Sequence, residues 1–227
     1  MCIRDSYRTN GLVNLDKSNM PSYQPEAYQK PGCPIIVDLN GDGLITVEDV
    51  DMKNVIPSLY WGFGNTFTYK NWDLDVFIYS QLGVDKYNDV YSWTSGRGLG
   101  NQTNNMSVYI KDVWHSELNP NGTIPGIAYE MASVSLPGGA GTDIGYENSS
   151  FVRVRNITLG YNFKPNQLGA LSKLLSGIRV YVDVQNPFTF TGYTGLDPEV
   201  NTGGNYKGGK AEYPQTRTFS LGAKLSF

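Results

Sequence analysis

The last eleven residues, Arg217-Thr-Phe-Ser-Leu-Gly-Ala-Lys-Leu-Ser-Phe227, constrain this chain more than any other stretch. Read with a period of two, Phe219, Leu221, Ala223, Leu225 and Phe227 share one face, and Thr218, Ser220, Gly222, Lys224 and Ser226 share the other. Alternation this strict predicts a strand with one apolar and one polar side. A half-buried strand of a soluble domain fits the pattern, although such domains usually fray at their ends. A membrane barrel that closes on an aromatic residue fits it too. The remaining sequence has to decide.

Composition narrows the choice without making it. Twenty-six glycines, 16 tyrosines and only 17% charged residues among 227 favour β-structure over helix. The mean hydropathy is -0.34, and no run approaches the roughly 18 apolar residues of a membrane helix. Barrel strands alternate and average out in hydropathy, so a barrel stays open. A net charge of -3 argues against a nucleic-acid surface. Cys2 and Cys33 form neither a metal spacing nor a disulfide framework. Residues 1–6, Met-Cys-Ile-Arg-Asp-Ser, lack the apolar core of a signal peptide and resemble translated sequencing-adapter sequence. They are expected to be a non-native leader on a fragment.

Residues 7–57 show no sustained period and read as a loop. Inside it, Asp38-Leu-Asn40-Gly-Asp42-Gly43-Leu44-Ile45-Thr46-Val47-Glu48-Asp49 fits the calcium-loop template. Hard Ca²⁺ needs six to eight oxygens. Side chains of Asp38, Asn40, Asp42 and Asp49, the Leu44 carbonyl and Thr46, directly or through water, are the expected donors. Asp rather than Glu at the twelfth position makes a shorter closing ligand, and no long helices flank the loop. The bland alternative is an Asx/Gly turn without metal.

Residues 58–69 alternate again, with Leu59, Trp61, Phe63, Phe67 and Tyr69 on one face. Lys70-Asn71 is a tight turn, after which Trp72, Leu74, Val76, Ile78 and Leu82 alternate with Asp73, Asp75, Phe77, Tyr79 and Gln81. This predicts a hairpin with strands of about eleven residues, roughly twice the usual soluble length and the length of a tilted membrane strand. Tyr69 and Trp72 would sit at a membrane interface. From residue 83 to 148 the pattern vanishes into Gly, Asn, Ser, Tyr and Trp. A loop this long is foreign to a compact soluble domain but ordinary on a barrel. Tyr91, Trp93 and Trp114 are ligand-contact candidates there, against the plainer reading that loop aromatics pack the loop on itself. The lone His115 reads as a surface residue.

Strands resume at Ser150. Ile157, Leu159, Tyr161 and Phe163 alternate with polar residues, and Arg153 and Arg155 fall in the apolar register. They are expected above the hydrocarbon, because at the midplane each would cost about 2–4 kcal/mol. Residues 164–176 form a short connection with a helical turn, and Ile178, Val180, Val182 and Val184 then alternate. Residues 187–215 read as another long loop before the closing strand. Connections therefore run short at 70–71 and 164–176 and long at 83–148 and 187–215, the rhythm of an outer-membrane barrel with short periplasmic turns.

Several segments together resemble one family. Tyr7-Arg-Thr-Asn-Gly-Leu12, Lys30-Pro-Gly, Asp38-Leu-Asn-Gly-Asp-Gly43, Tyr69-Lys-Asn-Trp-Asp-Leu74, Ser150-Phe-Val-Arg-Val-Arg-Asn-Ile-Thr-Leu-Gly-Tyr161, Val180-Tyr-Val-Asp-Val-Gln-Asn186, Tyr193-Thr-Gly-Leu-Asp-Pro-Glu199 and Tyr213-Pro-Gln-Thr-Arg-Thr-Phe219 occur in the order seen in SusC/RagA-like TonB-dependent transporters of Bacteroidota. The resemblance implies an all-β fold, with this chain supplying roughly the last five antiparallel strands of a transmembrane barrel of about 22. It implies a place in the bacterial outer membrane and a part in importing glycan oligomers or peptides. The implied partners are a SusD-like surface lipoprotein, the TonB complex acting on an N-terminal plug, the barrel-assembly machinery and outer-membrane lipid. Without plug or remaining strands, this polypeptide alone would not transport. Phe219, Leu221, Leu225 and Phe227 resemble the C-terminal assembly signal of such barrels. Pro187 departs from the family pattern, and 98–148 matches none of it.

Two other classes compete. An enzyme with paired carboxylates would draw on Asp197 and Glu199, but neighbours in sequence do not oppose each other across a sugar, and no nucleophile motif accompanies them. A soluble calcium-dependent adhesion module would rest on residues 38–49 and would need short strands. Among transporters, a siderophore or vitamin receptor is the alternative.

Overall fold

The structure is a computed structural model that describes residues 3–88, 91, 106–126, 136–137, 141–200 and 213–227. In chain order its strands are β1 (Ile3–Tyr7), β2 (Thr9–Leu12), β3 (Pro34–Ile36), β4 (Val50–Asn54), β5 (Leu59–Tyr69), β6 (Trp72–Leu82), β7 (Asp85–Tyr87), β8 (Gly141–Thr142), β9 (Tyr146–Asn148), β10 (Phe151–Phe163), β11 (Gly177–Thr191) and β12 (Thr218–Ser226). The chain divides into two units, one built on Pro57–Val84, Asn148–Asn201 and Glu212–Phe227, the other on Met1–Ile56, Asp85–Glu147 and Thr202–Ala211.

The first unit is one antiparallel sheet in the order β12-β11-β10-β6-β5. Its strands run to 11, 11, 13, 15 and 9 residues from β5 to β12. The β5–β6 hairpin closes on the pair Tyr69↔Trp72, with Lys70 in the left-handed region at φ 56°. Register aligns apolar residues across the strands: Phe67, Leu74, Leu159, Val182 and Leu221 form one row through all five, and Val76, Ile157, Val184 and Phe219 the next, with the polar Asn65 at its β5 end. This face is not covered within the unit; Leu221 is 78% and Phe67 56% exposed. A water-soluble sheet hides such a face, whereas a membrane wall presents it to lipid. No helix among the described residues is long and apolar enough to cross a membrane, which says nothing of strands.

The strands agree with the sequence expectation except at one height. Val154 and Asn156 of β10 pair with the adjacent residues Ile78 and Phe77 of β6, leaving Arg155 as an extra residue. Opposite them on β11 the partners are Phe188 and Gln185, leaving Asn186 and Pro187 between. Asn186 takes φ 49°, the left-handed conformation that Asn tolerates. Below this bulge the odd residues Ile157, Leu159 and Tyr161 lie on the apolar face; above it the even residues Val154 and Val152 do. The apolar register expected for Arg153 is therefore corrected, because one extra residue exchanges the faces.

The expected 187–215 loop is also corrected, since β11 continues through Pro187 to Thr191 and pairs with Val152 and Phe151. Pro is tolerated at a bulge and on an edge, and β12 pairs with β11 only as far as Gln185. In the 164–176 connection, two 3₁₀ turns, Pro165–Gln167 and Gly169–Lys173, form the expected helical segment.

The second unit has a buried apolar cluster of its own. Tyr7, Tyr28, Cys33, Ile36 and Leu136 cluster out of water, with Ala27, Ile45, Val50 and Ile144 packed against them. Around them β4-β1-β8 form a three-stranded sheet, and β2-β3 and β7-β9 form two-stranded ones. The buried Gln24 amide stitches the centre, donating to the Pro34 carbonyl at 2.9 Å and accepting from the Ile36 N–H at 3.1 Å. Residues 7–57 and 83–148 were expected to be loop; strands of two to five residues punctuate them instead. Elements this short complete too few periods to register in a sequence pattern. β1 includes residues of the expected leader and pairs with β4. Backbone pairing accepts almost any side chains, so that pairing is silent on where residues 1–6 come from.

Candidate functional site: the polar face of the sheet and its arginine–carboxylate cluster

The face opposite the apolar rows is a connected polar surface. One row reads Thr66, Asp75, Thr158, Asp183 and Ser220. Thr66 donates to Asp75, and Thr158 Oγ1 donates to Asp183 at 2.6 Å. In the next row two glycines make room for their neighbours. A Cβ on Gly160 would fall 2.6 Å from Asp73 and 2.7 Å from the Arg179 guanidinium, and one on Gly222 would fall 2.3 Å from the Tyr181 ring. The Arg179 guanidinium donates to Asp73, which also accepts from Asn162 Nδ2 at 2.6 Å.

Beyond the bulge two arginines meet two carboxylates. Arg153 is 1% exposed and Asp197 8%. Arg153 Nε donates to Thr189 Oγ1 at 2.9 Å, Nη2 donates to both Asp197 oxygens at 2.9 Å, and Nη1 donates to Glu199. Arg155 Nη1 donates to both Glu199 oxygens, at 2.8 and 3.0 Å. Asp197 also accepts from the backbone N–H groups of Glu199 at 2.8 Å and Gln215 at 3.0 Å. Burial by itself would raise the Asp197 pKa; the Arg153 guanidinium and the two N–H groups outweigh it and hold the carboxyl below its ordinary range. Gln215 lies just before β12, so Asp197 ties both ends of the β11–β12 connection to the wall.

This geometry removes the paired-carboxylate reading of Asp197 and Glu199. Both are engaged by arginine, and they share one loop instead of facing each other across a cleft. What the arrangement can do is hold a loop against a wall and present charged and hydroxyl groups to a polar solute. The clasp was partly legible. Two arginines two residues apart, stranded in an apolar register, matched two carboxylates two residues apart at 197 and 199, but only the bulge turns the arginines towards them.

The 38–49 loop closes on itself. Asp38 accepts from the N–H of Gly41 at 2.6 Å and of Gly43 at 2.8 Å; Asp42 accepts from Leu44 N–H at 2.8 Å, and Asn40 Oδ1 from Asp42 N–H at 3.0 Å. Asp49, fully buried, accepts from Leu39 N–H and Thr46 N–H, both at 2.8 Å, and caps the turn Val47–Asp49 together with Thr46. Burial pushes the Asp49 carboxyl up, and these N–H groups more than offset it, leaving its pKa lowered. Among the described residues no three His, Cys, Asp or Glu side chains gather as a metal site.

Of the aromatic candidates, Trp114 is half-buried over glycine backbone: a Cβ on Gly32 would fall 2.3 Å from its ring, and one on Gly126 3.2 Å. Tyr91 packs edge-on against Tyr109 with centroids 5.4 Å apart. Trp93 lies outside the described residues. Phe219, Leu221 and Leu225 occupy the apolar face of β12, and Phe227, just beyond it, is 83% exposed.

No family model matches the chain. Curated relatives do, among them TonB-dependent receptor P3 of Formosa agariphila, 31% identical over 206 residues, and TonB-dependent receptor SusC of Bacteroides thetaiotaomicron, 33% identical over 208. These alignments take in 87% and 89% of this chain but 19% of each relative, so the chain spans about a fifth of their length. Among solved structures, the RagAB peptide transporter superposes with a TM-score of 0.65 at 22% identity, over 99% of this chain and 22% of that one. The RagAB peptide importer in its open-open state gives 0.64 at 23% identity, over 99% and 22%. The fold is thus part of a RagAB-type β-barrel, and the chain is homologous to the SusC/RagA-type TonB-dependent receptors of the outer membrane, matching a partial, C-terminal region of them.

Proposed function

We propose that this chain forms the C-terminal wall of an outer-membrane transporter that imports glycan oligomers or peptides. The observation that carries the reading is the sheet itself: five long antiparallel strands with a continuous apolar face and a hydrogen-bonded polar one. Apolar rows suit lipid and the polar rows suit a solute path. In this reading a SusD-like surface lipoprotein covers the entrance, and TonB supplies energy through a plug encoded outside these residues. The barrel-assembly machinery takes up the β12 signal, Phe219, Leu221, Leu225 and Phe227.

Recovering the genomic locus around this reading frame tests the proposal. The expected result is an upstream continuation encoding a plug and further strands, with a gene for a SusD-like lipoprotein beside it. A natural start near Met1 behind a secretion signal, with no barrel segments upstream, would sink the reading.

Two finer assignments belong to the same proposal. Tyr91, Trp93 and Trp114 are ligand contacts, checked by the effect of their alanine variants on uptake by the complete receptor. Residues 38–49 take a Ca²⁺ through oxygens of the half-buried Asp38 and the exposed Asn40 and Asp42, with Leu44, Thr46 and Asp49 completing the set. Asp38 and Asp49 would have to share oxygens already used by N–H groups. Calorimetric titration with Ca²⁺ is the check; absence of binding heat leaves a self-capped turn.

A further inference from the structure

We propose that the β10–β11 connection, residues 164–176, is an interfacial anchor that lies in the membrane headgroup layer and binds anionic phospholipid. The inference rests on the barrel reading above. Three observations point the same way.

The first is where the connection begins. Gln167 donates through Nε2 to the Tyr161 hydroxyl at 3.2 Å and accepts from Asn71 Nδ2 at 2.8 Å. Tyr161 belongs to the apolar face, paired with Trp72 and Val180. Its ring meets Trp72 edge-on at 4.8 Å and Phe163 at 4.7 Å. Gln167 therefore ties the connection and the Lys70-Asn71 turn to the rim of the lipid-facing side. Aromatics with one wet end and one apolar end favour the membrane interface.

The second is what the connection exposes. Leu171 is 53% and Leu174 68% exposed, while Leu175 between them and β11 is buried. A short polar turn needs no large uncovered leucines. They follow directly on the end of the apolar face, whose last row here is Phe163, Ile178 and Leu225.

The third is charge. Residues 164–176 carry Lys164 and Lys173 and no carboxylate, and the neighbouring turn adds Lys70. All three lysines are exposed. Leucines beside lysines are the pattern of a segment that sits in the headgroup region, with apolar side chains dipping into the acyl boundary. Each lysine near an anionic surface strengthens binding by about five-fold.

The test uses the complete receptor in vesicles of phosphatidylcholine with or without phosphatidylglycerol. A bimane fluorophore is placed at Leu174→Cys, and separately at Leu221→Cys in the middle of the apolar band. Quenching by lipids carrying nitroxide near the headgroup or deep in the chain reports depth. The expected result is deep quenching at 221, and at 174 headgroup-level quenching with blue-shifted emission. Phosphatidylglycerol should enhance the signal at 174, and Lys164→Gln with Lys173→Gln should remove that enhancement while leaving 221 unchanged. A water-like 174 beside a deep 221 overturns the anchor alone, as does a phosphatidylglycerol effect indifferent to both lysine changes. A water-like 221 overturns the barrel reading, and the anchor with it.

Discussion

The two units solve opposite solvation problems with similar residues. In the short-stranded unit Tyr7, Tyr28 and Ile36 are fully buried in a core, as water demands, and the polar Gln24 and Asp49 buried with them are hydrogen-bonded. In the five-stranded sheet Phe67, Leu159 and Leu221 face out, while Arg153 is enclosed with its carboxylates. The hydrophobic effect drives the first arrangement. In the second, lipid removes the penalty for exposed apolar side chains and makes unpaired polar groups expensive, so the polar inventory is turned to one face and bonded there. The comparison teaches that exposure of apolar residues is evidence about the solvent, not about the quality of a core.

The sharpest way to break this comparison is Arg153→Leu in the complete receptor. It strands Asp197 and Glu199 beside a buried wall and is expected to cost about 3–5 kcal/mol, read as a lower denaturant midpoint for release from vesicles. A smaller loss would mean that the cluster is more open to water than its burial indicates.

The next test sets adjacent residues on opposite faces against each other. Leu221→Arg is expected to cost about 2–4 kcal/mol near the bilayer midplane. Ser220→Arg, across from Asp183, is expected within about 0.5 kcal/mol of the parent. Equal effects would overthrow the assignment of faces. Gly222→Val probes the fit of the polar face. The new side chain must displace the Tyr181 ring, at a cost of about 1–3 kcal/mol, visible as a slower return to the folded barrel.

In the other unit the expected effects are smaller and depend on water. The Asp49 pKa is lowered on folding. Its contribution is therefore full above the unfolded value, near pH 4, and is lost as pH falls through the lower folded value. Titrating the unit's unfolding midpoint from neutral to acid should show a flat limb and then a decline, and Asp49→Asn should flatten that decline. Arg8→Ala should do least. The Arg8–Asp51 pair is 3.0 Å long but Arg8 is half exposed, so less than about 1 kcal/mol is at stake. Added salt should mask even that.

Much of the sheet was legible because a period of two repeated over eleven residues is hard to imitate. β5, β6 and β12 begin and end within a residue or so of where alternation places them. The bulge was not legible. Nothing in Val-Arg-Val-Arg-Asn says that Arg155 is left over, since the choice depends on which neighbours pair with Val154 and Asn156. Asn186-Pro187 looked like the end of a strand because local chemistry favours a turn there, and tertiary pairing overrode it. In the second unit, β2 and β3 are fixed by contacts between distant residues, for which a short window holds no signal. The clasp of Arg153 on Asp197 depends on all of these at once. Calcium-like spacing at 38–49 was legible as a loop, and its Asx bonds account for the same residues that a metal would need.

At the height of the bulge β6 has no surplus residue, β10 has one and β11 has two. In a crystal this would be an edge dislocation, a wedge of extra material that begins inside the lattice and widens in one direction. Hydrogen-bonded neighbours hold a spacing of about 4.8 Å, and each surplus residue adds roughly 3.3 Å of strand, so the wedge is taken up as bending and twist. The wall below the defect stays regular, and the wall above it is steered. A chain that adjusts the aim of its upper rim by counting residues at one height can change what it meets on that side without renegotiating its contract with the bilayer.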